Sequence, residues 1–300
     1  MDMTASKTGI KWVPILLVGL PLWLVASTAL GLWLWLKGGE AAEEPAKFST
    51  SITAESIASS LTKFADLVGP RHTTSEAGHR GLTRAAAMIE GTLGPSNAGY
   101  QIETISAPPV GDESWPIIIA RLPAGDEREP IWMLTGYDQD PKQTDPAGPV
   151  TNLTALIAVA QTLATEKSSR PVYFVFLPHF FDDRAPVPGT LRALQRFIDR
   201  KEPGGFLASV QAMTDPDQLT LTGSADMPLE ALAANAKLPS PVDETPGHPA
   251  LDALALPVVH LRATDPTNSA TRNRPDPKQT AAASEQLAQW LRRHMRDKIK

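Results

Sequence analysis

The chain has 300 residues, a formal net charge of −5 and no cysteine. Its length exceeds what one small core needs, so one large domain or two modest ones are expected. The lack of a broad basic field excludes a nucleic-acid binder, and the lack of cysteine excludes disulfides and thiolate metal sites.

Residues 1–11 are a short tail. From Trp12 to Leu36 no residue is charged. As a helix this run would be about 37 Å long at 1.5 Å per residue, enough to cross a hydrocarbon core of about 30 Å with some tilt. Trp12 at one end and Trp33 and Trp35 at the other stand where interfacial aromatics belong. A cleaved signal peptide, with "AST" as its small-residue site, would need an apolar run of only about 7–15 residues, and this run is longer. A transmembrane helix over 12–36 is therefore expected. Lys7 and Lys11 precede it, while Lys37 follows together with Glu40, Glu43 and Glu44, so charge biases the orientation only slightly. The short N-terminal tail is expected in the cytoplasm. The large C-terminal part is expected outside it, in the periplasm if the cell is bacterial. Residues 37–50 read as a flexible linker.

Beyond the linker, apolar residues recur at helical spacing in "TAESIASSLTKFADLVG" and in "SEAGHRGLTRAAAMIEGTLG", where Gly94-Pro95 stops the pattern. Three strand-like runs follow, "YQIETIS", "WPIIIARLP" and "PIWMLTG". The second and third are nearly all apolar, as strands covered on both faces should be. The helix "TNLTALIAVAQTLATEK", the strand "PVYFVFLP", the helix "GTLRALQRFIDR" and the strand "GFLASVQAM" come next. Residues Pro216 to Ala255 read as an irregular, proline-rich excursion. "LPVVHLRA" is a late strand, and "TAAASEQLAQWLRRHMRDKIK" a closing helix with a basic end. Alternation of strands and helices predicts an α/β three-layer sandwich with a mostly parallel central sheet, preceded by one transmembrane helix. Ligands in such folds gather at the carboxyl ends of strands, which directs attention to "LTGYDQD" and "LPHFFDD".

In the order of these elements, residues 51–300 resemble the M28 family of zinc aminopeptidases. The phrases that carry the resemblance are "LTKFADLVGPRHTTSEAGHRGLTRAAAMIE", "LTGYD", "GPVTNLTALIAVAQTL" and "PVYFVFLPHFF". The resemblance implies two zinc ions held by His, a bridging Asp, Glu, Asp and His, with a neighbouring Glu as general base. This chain has Gly136 at the first histidine position. It keeps Asp138, which in the family steadies that histidine. Thr151 stands for the bridging aspartate beside a retained Asn152, and Phe180 and Phe181 stand for the glutamate pair. Asp215 is the candidate for the later acid, and the last histidine falls near Thr271 or Arg272.

Zinc takes nitrogen, sulfur or carboxylate ligands at about 2.0–2.3 Å, and a catalytic site needs three from the protein. Glycine and phenylalanine offer none. The expectation is a peptidase-like fold without peptidase chemistry and without a cofactor. It would act as an accessory subunit, with the bilayer as partner through residues 12–36 and other subunits of a membrane complex. One alternative is a divergent metal-dependent aminopeptidase whose shifted ligands come from Asp138, His179, Asp182 and Asp183. Another is a peptide-binding module in the old cleft. The plain reading of His179, Asp182 and Asp183 is loop residues in water, or helix caps. His72 and His79 read as capping or packing residues, His248 as a solvated loop residue and His260 as a core histidine. Asn152 opens "NLT", which matches a glycosylation acceptor. No G-x-S-x-G elbow or phosphate loop is present.

Overall fold

The computed structural model describes residues 20–30, 33, 48–125, 128–142, 148–213, 219–223, 248–263 and 275–296. The chain divides into two units, Met1–Pro45 and Ala46–Lys300. In the first, residues 20–30 are helical, with Leu22, Trp23 and Val25 exposed. Residues 12–19, 31–32 and 34–36 of the expected span lie outside the described residues. Among those described, no helix is long and apolar enough to cross a membrane.

The second unit is built on strands β1 (Gln101–Ser106), β2 (Pro116–Leu122), β3 (Ile131–Gly136), β4 (Val172–Leu177), β5 (Phe206–Met213), β6 (Leu219–Gly223) and β7 (Val258–Ala263). Their spatial order is β1-β2-β4-β3-β5-β7-β6. β3 is parallel to both neighbours, β4 and β5, and β5 is parallel to β7. The joins β1–β2, β2–β4 and β6–β7 are antiparallel. The sheet is thus mixed, with a parallel centre and antiparallel flanks, where the sequence reading expected a mostly parallel one. Short connections, such as the one from β1 to β2, reverse direction without a helical crossover.

β6 is the element that the sequence reading missed inside its irregular excursion. "LTLTG" alternates, with Leu219 and Leu221 in the core and Thr220 partly exposed, and it pairs with β7 from Leu219↔Ala263 to Gly223↔Val259. A five-residue edge strand beside prolines gives too short a period to stand out.

Helices α1 (Ala54–Lys63), α2 (Glu76–Leu93), α3 (Gly148–Leu163), α4 (Val187–Lys201) and α5 (Pro277–Arg296) cover the sheet. Thr53 starts α1 through a capping box with Ser56. α1 runs into a π-helical turn, Phe64–Val68, that Gly69 ends at φ +76. Ser75 caps α2 by accepting from the Gly78 N–H. α2, α3 and α5 lie on the sheet face that presents Ile131, Met133, Phe174 and Phe176. α1 stacks over α3 and α5 through Ile57, Ala158 and Ala281. α4 and the 3-10 turn Pro249–Ala253 cover the opposite face, which presents Trp132, Leu134, Tyr173 and Val175. Successive residues of β3 and β4 thus enter opposite cores, so both strands read as continuous apolar runs. α3 is buried nearly all round, which accounts for its apolar composition on every face.

Chain order places the site. From β3 the chain passes through α3 to β4 on one side, then through α4 to β5 on the other. The strand order reverses at β3, and the crevice outside its carboxyl end is where such sheets hold ligands.

Candidate functional site

β3 ends at Gly136, and Tyr137, Asp138 and Gln139 continue from it fully or almost fully buried. The Asp138 carboxylate sits over the turn that follows β4. Its Oδ2 accepts from the backbone N–H groups of Phe180 (2.8 Å), Phe181 (2.9 Å) and Asp182 (3.0 Å). Burial pushes the Asp138 pKa up to about 7, against those donors, which favour the charged form. Its Oδ1 is buried with no hydrogen-bond partner.

A buried arginine holds the loop between α1 and α2 against this point. Arg71 Nε donates to the Tyr137 carbonyl at 2.8 Å and Nη1 to the Gly69 carbonyl at 3.2 Å, while the Gln139 N–H donates to the Arg71 carbonyl at 2.7 Å. Burial lowers the Arg71 pKa to about 10. The Tyr137 hydroxyl reaches the Pro116 carbonyl at 2.7 Å, tying β3 to the start of β2.

The volume beside Gly136 is filled. A Cβ on Gly136 would lie 2.7 Å from Asp138 Oδ1, 2.7 Å from the Phe180 Cβ and 2.8 Å from the Phe181 ring. Phe180 is buried, packs edge-on to Phe181 at 4.9 Å and is stacked under the His248 imidazole at 4.4 Å. His248 is half-buried, with its pKa lowered by burial, rather than solvated as expected. The 3-10 turn it precedes carries it onto the aromatic pair.

At the start of α3, Thr151 is buried and its hydroxyl contacts the Asn152 amide oxygen at 3.4 Å. That oxygen also accepts from the Met213 N–H at 3.0 Å, so Asn152 clasps α3 to the end of β5. Asn152 is 5% exposed, which removes it as a glycosylation acceptor in the folded domain.

His179 and Asp182 are both fully buried, contrary to the plain reading of them as loop residues in water. Asp182 Oδ2 accepts from Thr73 twice, from its N–H at 2.9 Å and its hydroxyl at 2.6 Å, and Oδ1 accepts from the Arg184 N–H. His179 Nδ1 meets the Thr190 hydroxyl at 3.0 Å, and burial lowers its pKa to about 4. The ring lies edge-on to Trp115, which on its other side meets His79. His79 bonds the Thr73 carbonyl and pairs with Glu113, which raise its pKa. Asp183 stands apart on the surface, paired with exposed Lys142. His72 Nδ1 accepts from Thr74, as a packing residue would. His260 is buried in β7, as a core histidine should be.

The structure brings together Gly136, Asp138, Phe180, Phe181 and Asp182, and sets Thr151 and Asn152 at the neighbouring end of α3. Asp215, Thr271 and Arg272 lie outside the described residues. Among the described residues no group of three or more His, Cys, Asp or Glu side chains could hold a metal ion. The side chains present at the zinc-ligand positions do not fit a zinc pair. Gly136, Phe180 and Phe181 carry no donor, and the space a ligand at 136 would need is taken. Arg71, Thr73, Trp115 and His248 complete the cluster, and sequence reasoning missed their role here. The Gly69-Pro70-Arg71 phrase was the available signal, but nothing local marks an arginine whose Nε bonds a carbonyl 66 residues away.

Solved structures with the same fold include the aminopeptidase LapA of Legionella pneumophila, with a TM-score of 0.60 at 14% identity, covering 82% of this chain and 72% of that one. The glutaminyl cyclase of Tannerella forsythia matches with a TM-score of 0.55 at 15% identity, over 83% of this chain and 100% of the other. The glutaminyl cyclase of Fimbriiglobus ruber does so at 0.55 and 14%, over 83% and 98%. No family model matches the sequence, and no curated protein matches it. The domain therefore has an aminopeptidase- and glutaminyl-cyclase-like fold, at identities that speak to fold alone.

Proposed function

We propose, starting from a domain with this exopeptidase-like fold, that the chain is a non-catalytic, membrane-anchored accessory subunit of a membrane protein complex. The observation that carries the reading is the packing around Gly136. Where the resemblance to zinc aminopeptidases implies a first histidine, Asp138, Phe180 and Phe181 occupy the space and supply no metal donors of their own beyond one carboxylate. Asp138 has a structural task in its place, holding three backbone N–H groups of the β4 turn. Without a bound cation no water is brought to a useful pKa. Without the glutamate pair no base stands ready to take its proton.

The anchor reading rests on the uncharged run from Trp12 to Leu36, with exposed Leu22, Trp23 and Val25 in its described part. N-terminus in the cytoplasm and domain outside is the orientation that follows from the short tail.

The test is purification of the full chain from its native membrane in mild detergent, with elemental analysis and identification of co-purifying proteins. The expected outcome is well below one zinc per chain, no release of aminoacyl arylamides and a stoichiometric membrane-protein partner. One or more zinc ions per chain, together with aminopeptidase turnover, would establish the divergent enzyme instead.

A further inference from the structure

At the end of the strands away from Asp138 lies a hollow. Helix α3 runs antiparallel to the strands it covers, so its carboxyl end sits beside their starts. There Gln161 of α3, Thr92 at the end of α2, and Ser96, Asn97 and Ala98 of the loop entering β1 enclose a cavity of about 370 Å³ together with Phe48 and Thr50. That volume falls in the range of small-molecule sites, about 300–1,000 Å³.

The walls are fixed from within the domain. The Thr50 N–H donates to the Gln161 carbonyl at 3.4 Å, the Thr162 hydroxyl to the Thr50 carbonyl at 2.7 Å, and the Ser49 hydroxyl to the Thr162 carbonyl at 2.9 Å. These three bonds fix the two residues that follow Phe48, whose side chain is 60% exposed at the lip. Facing it, the Asn97 amide donates to the Gly91 carbonyl, and the Asn97 and Gly99 N–H groups both meet the Gly94 carbonyl at 3.0 Å. An exposed phenylalanine beside a hollow whose adjoining backbone is already fixed offers an aromatic platform, since less backbone is left to order when a ligand arrives.

The lining selects a chemical class. Among the described residues no acidic or basic side chain lines the hollow, so a charged ligand would find no counter-charge in its described walls. The neutral polar residues Thr50, Thr92, Ser96, Asn97 and Gln161 make up most of the lining and disfavour a wholly apolar occupant. A ligand that offers many neutral hydroxyl groups and a C–H face for an aromatic ring satisfies both. We propose that this hollow is a binding site for a neutral saccharide, either free or as the headgroup of a glycolipid.

The experiment is saturation-transfer NMR on the full chain in a detergent without a sugar headgroup, with glucose and N-acetylglucosamine as probes. The expected result is transfer to the ring C–H protons of at least one sugar. Phe48→Ala should weaken binding about tenfold, Gln161→Ala should weaken it as well, and Phe48→Trp should retain it. In phosphatidylcholine nanodiscs, adding a monoglucosyl diacylglycerol displaces the free sugar if the ligand is a headgroup, and leaves it bound if the ligand is soluble. Absence of transfer from both sugars, or equal transfer in Phe48→Ala, overturns the proposal. Because the residues lining the hollow share none with those around Asp138, neither result bears on the zinc content measured for the chain.

Discussion

A Cβ placed on Gly136 would stand 2.7 Å from the Cβ of Phe180, well inside contact distance. The glycine at the end of β3 is therefore required by the Cβ that any residue but glycine places at position 180. Gly136→His should lower stability by about 1–3 kcal/mol, as overpacking does, and should recruit no zinc. Combining it with Phe180→Ala and Phe181→Ala should relieve part of that penalty, read as non-additivity in denaturant unfolding. A histidine variant as stable as the parent would show that the space is open after all.

Asp138 makes stability depend on pH. Its folded pKa of about 7 lies above the usual carboxylate value of 3.8. Between these values the folded state holds a proton that the unfolded state has released. This contribution is fully present below about pH 4 and is lost as pH rises through 7. Asp138→Asn should flatten that slope in melts taken from pH 4 to 8. Asp138→Ala strips three N–H groups of their acceptor and should cost about 2–4 kcal/mol throughout.

The bond pair from Thr73 to Asp182 clasps the loop before α2 onto the β4 turn. Thr73→Val and Asp182→Ala should each destabilise by about 1–3 kcal/mol, and the double variant by less than their sum. Full additivity in a double-mutant cycle would mean that the clasp does not couple the two segments.

Despite its matching tripeptide, Asn152 should carry no glycan. Its amide oxygen is spent on the Met213 N–H, and the side chain is buried. Intact mass before and after endoglycosidase treatment of the chain secreted from a glycosylating host should be identical. Asn152→Ala should instead lower the melting temperature, by uncapping the end of β5.

The sequence made the layered architecture and each of the α-helices α1 to α5 legible, because their apolar periods are long, while the 3-10 turn Pro249–Ala253 stayed hidden in the excursion. β6 and the antiparallel flanks escaped because pairing partners are chosen in three dimensions, not by local period. At the site, Gly136, Thr151, Phe180 and Phe181 were visible as residues without zinc donors where the resemblance implies ligands. Their consequence was not, since a Cβ collision depends on how close β3 and the β4 turn approach. Burial of His179 and Asp182 was hidden for a related reason. A polar residue after a strand looks solvated until its distant partner, Thr190 or Thr73, is known.

Ser49 and Thr50 join the chain's entry point to the carboxyl end of α3, whose amino end carries Thr151 and Asn152. At 1.5 Å per residue that helix is a stiff strut about 24 Å long. A pull applied at Phe48 would thus be delivered not to a loop but to a rod embedded in the core, and through it to the strand end where Asn152 grips Met213. The domain's described N-terminal end is thus tied to its most deeply buried helix, so a pull strong enough to shift that rod must also disturb the end of β5.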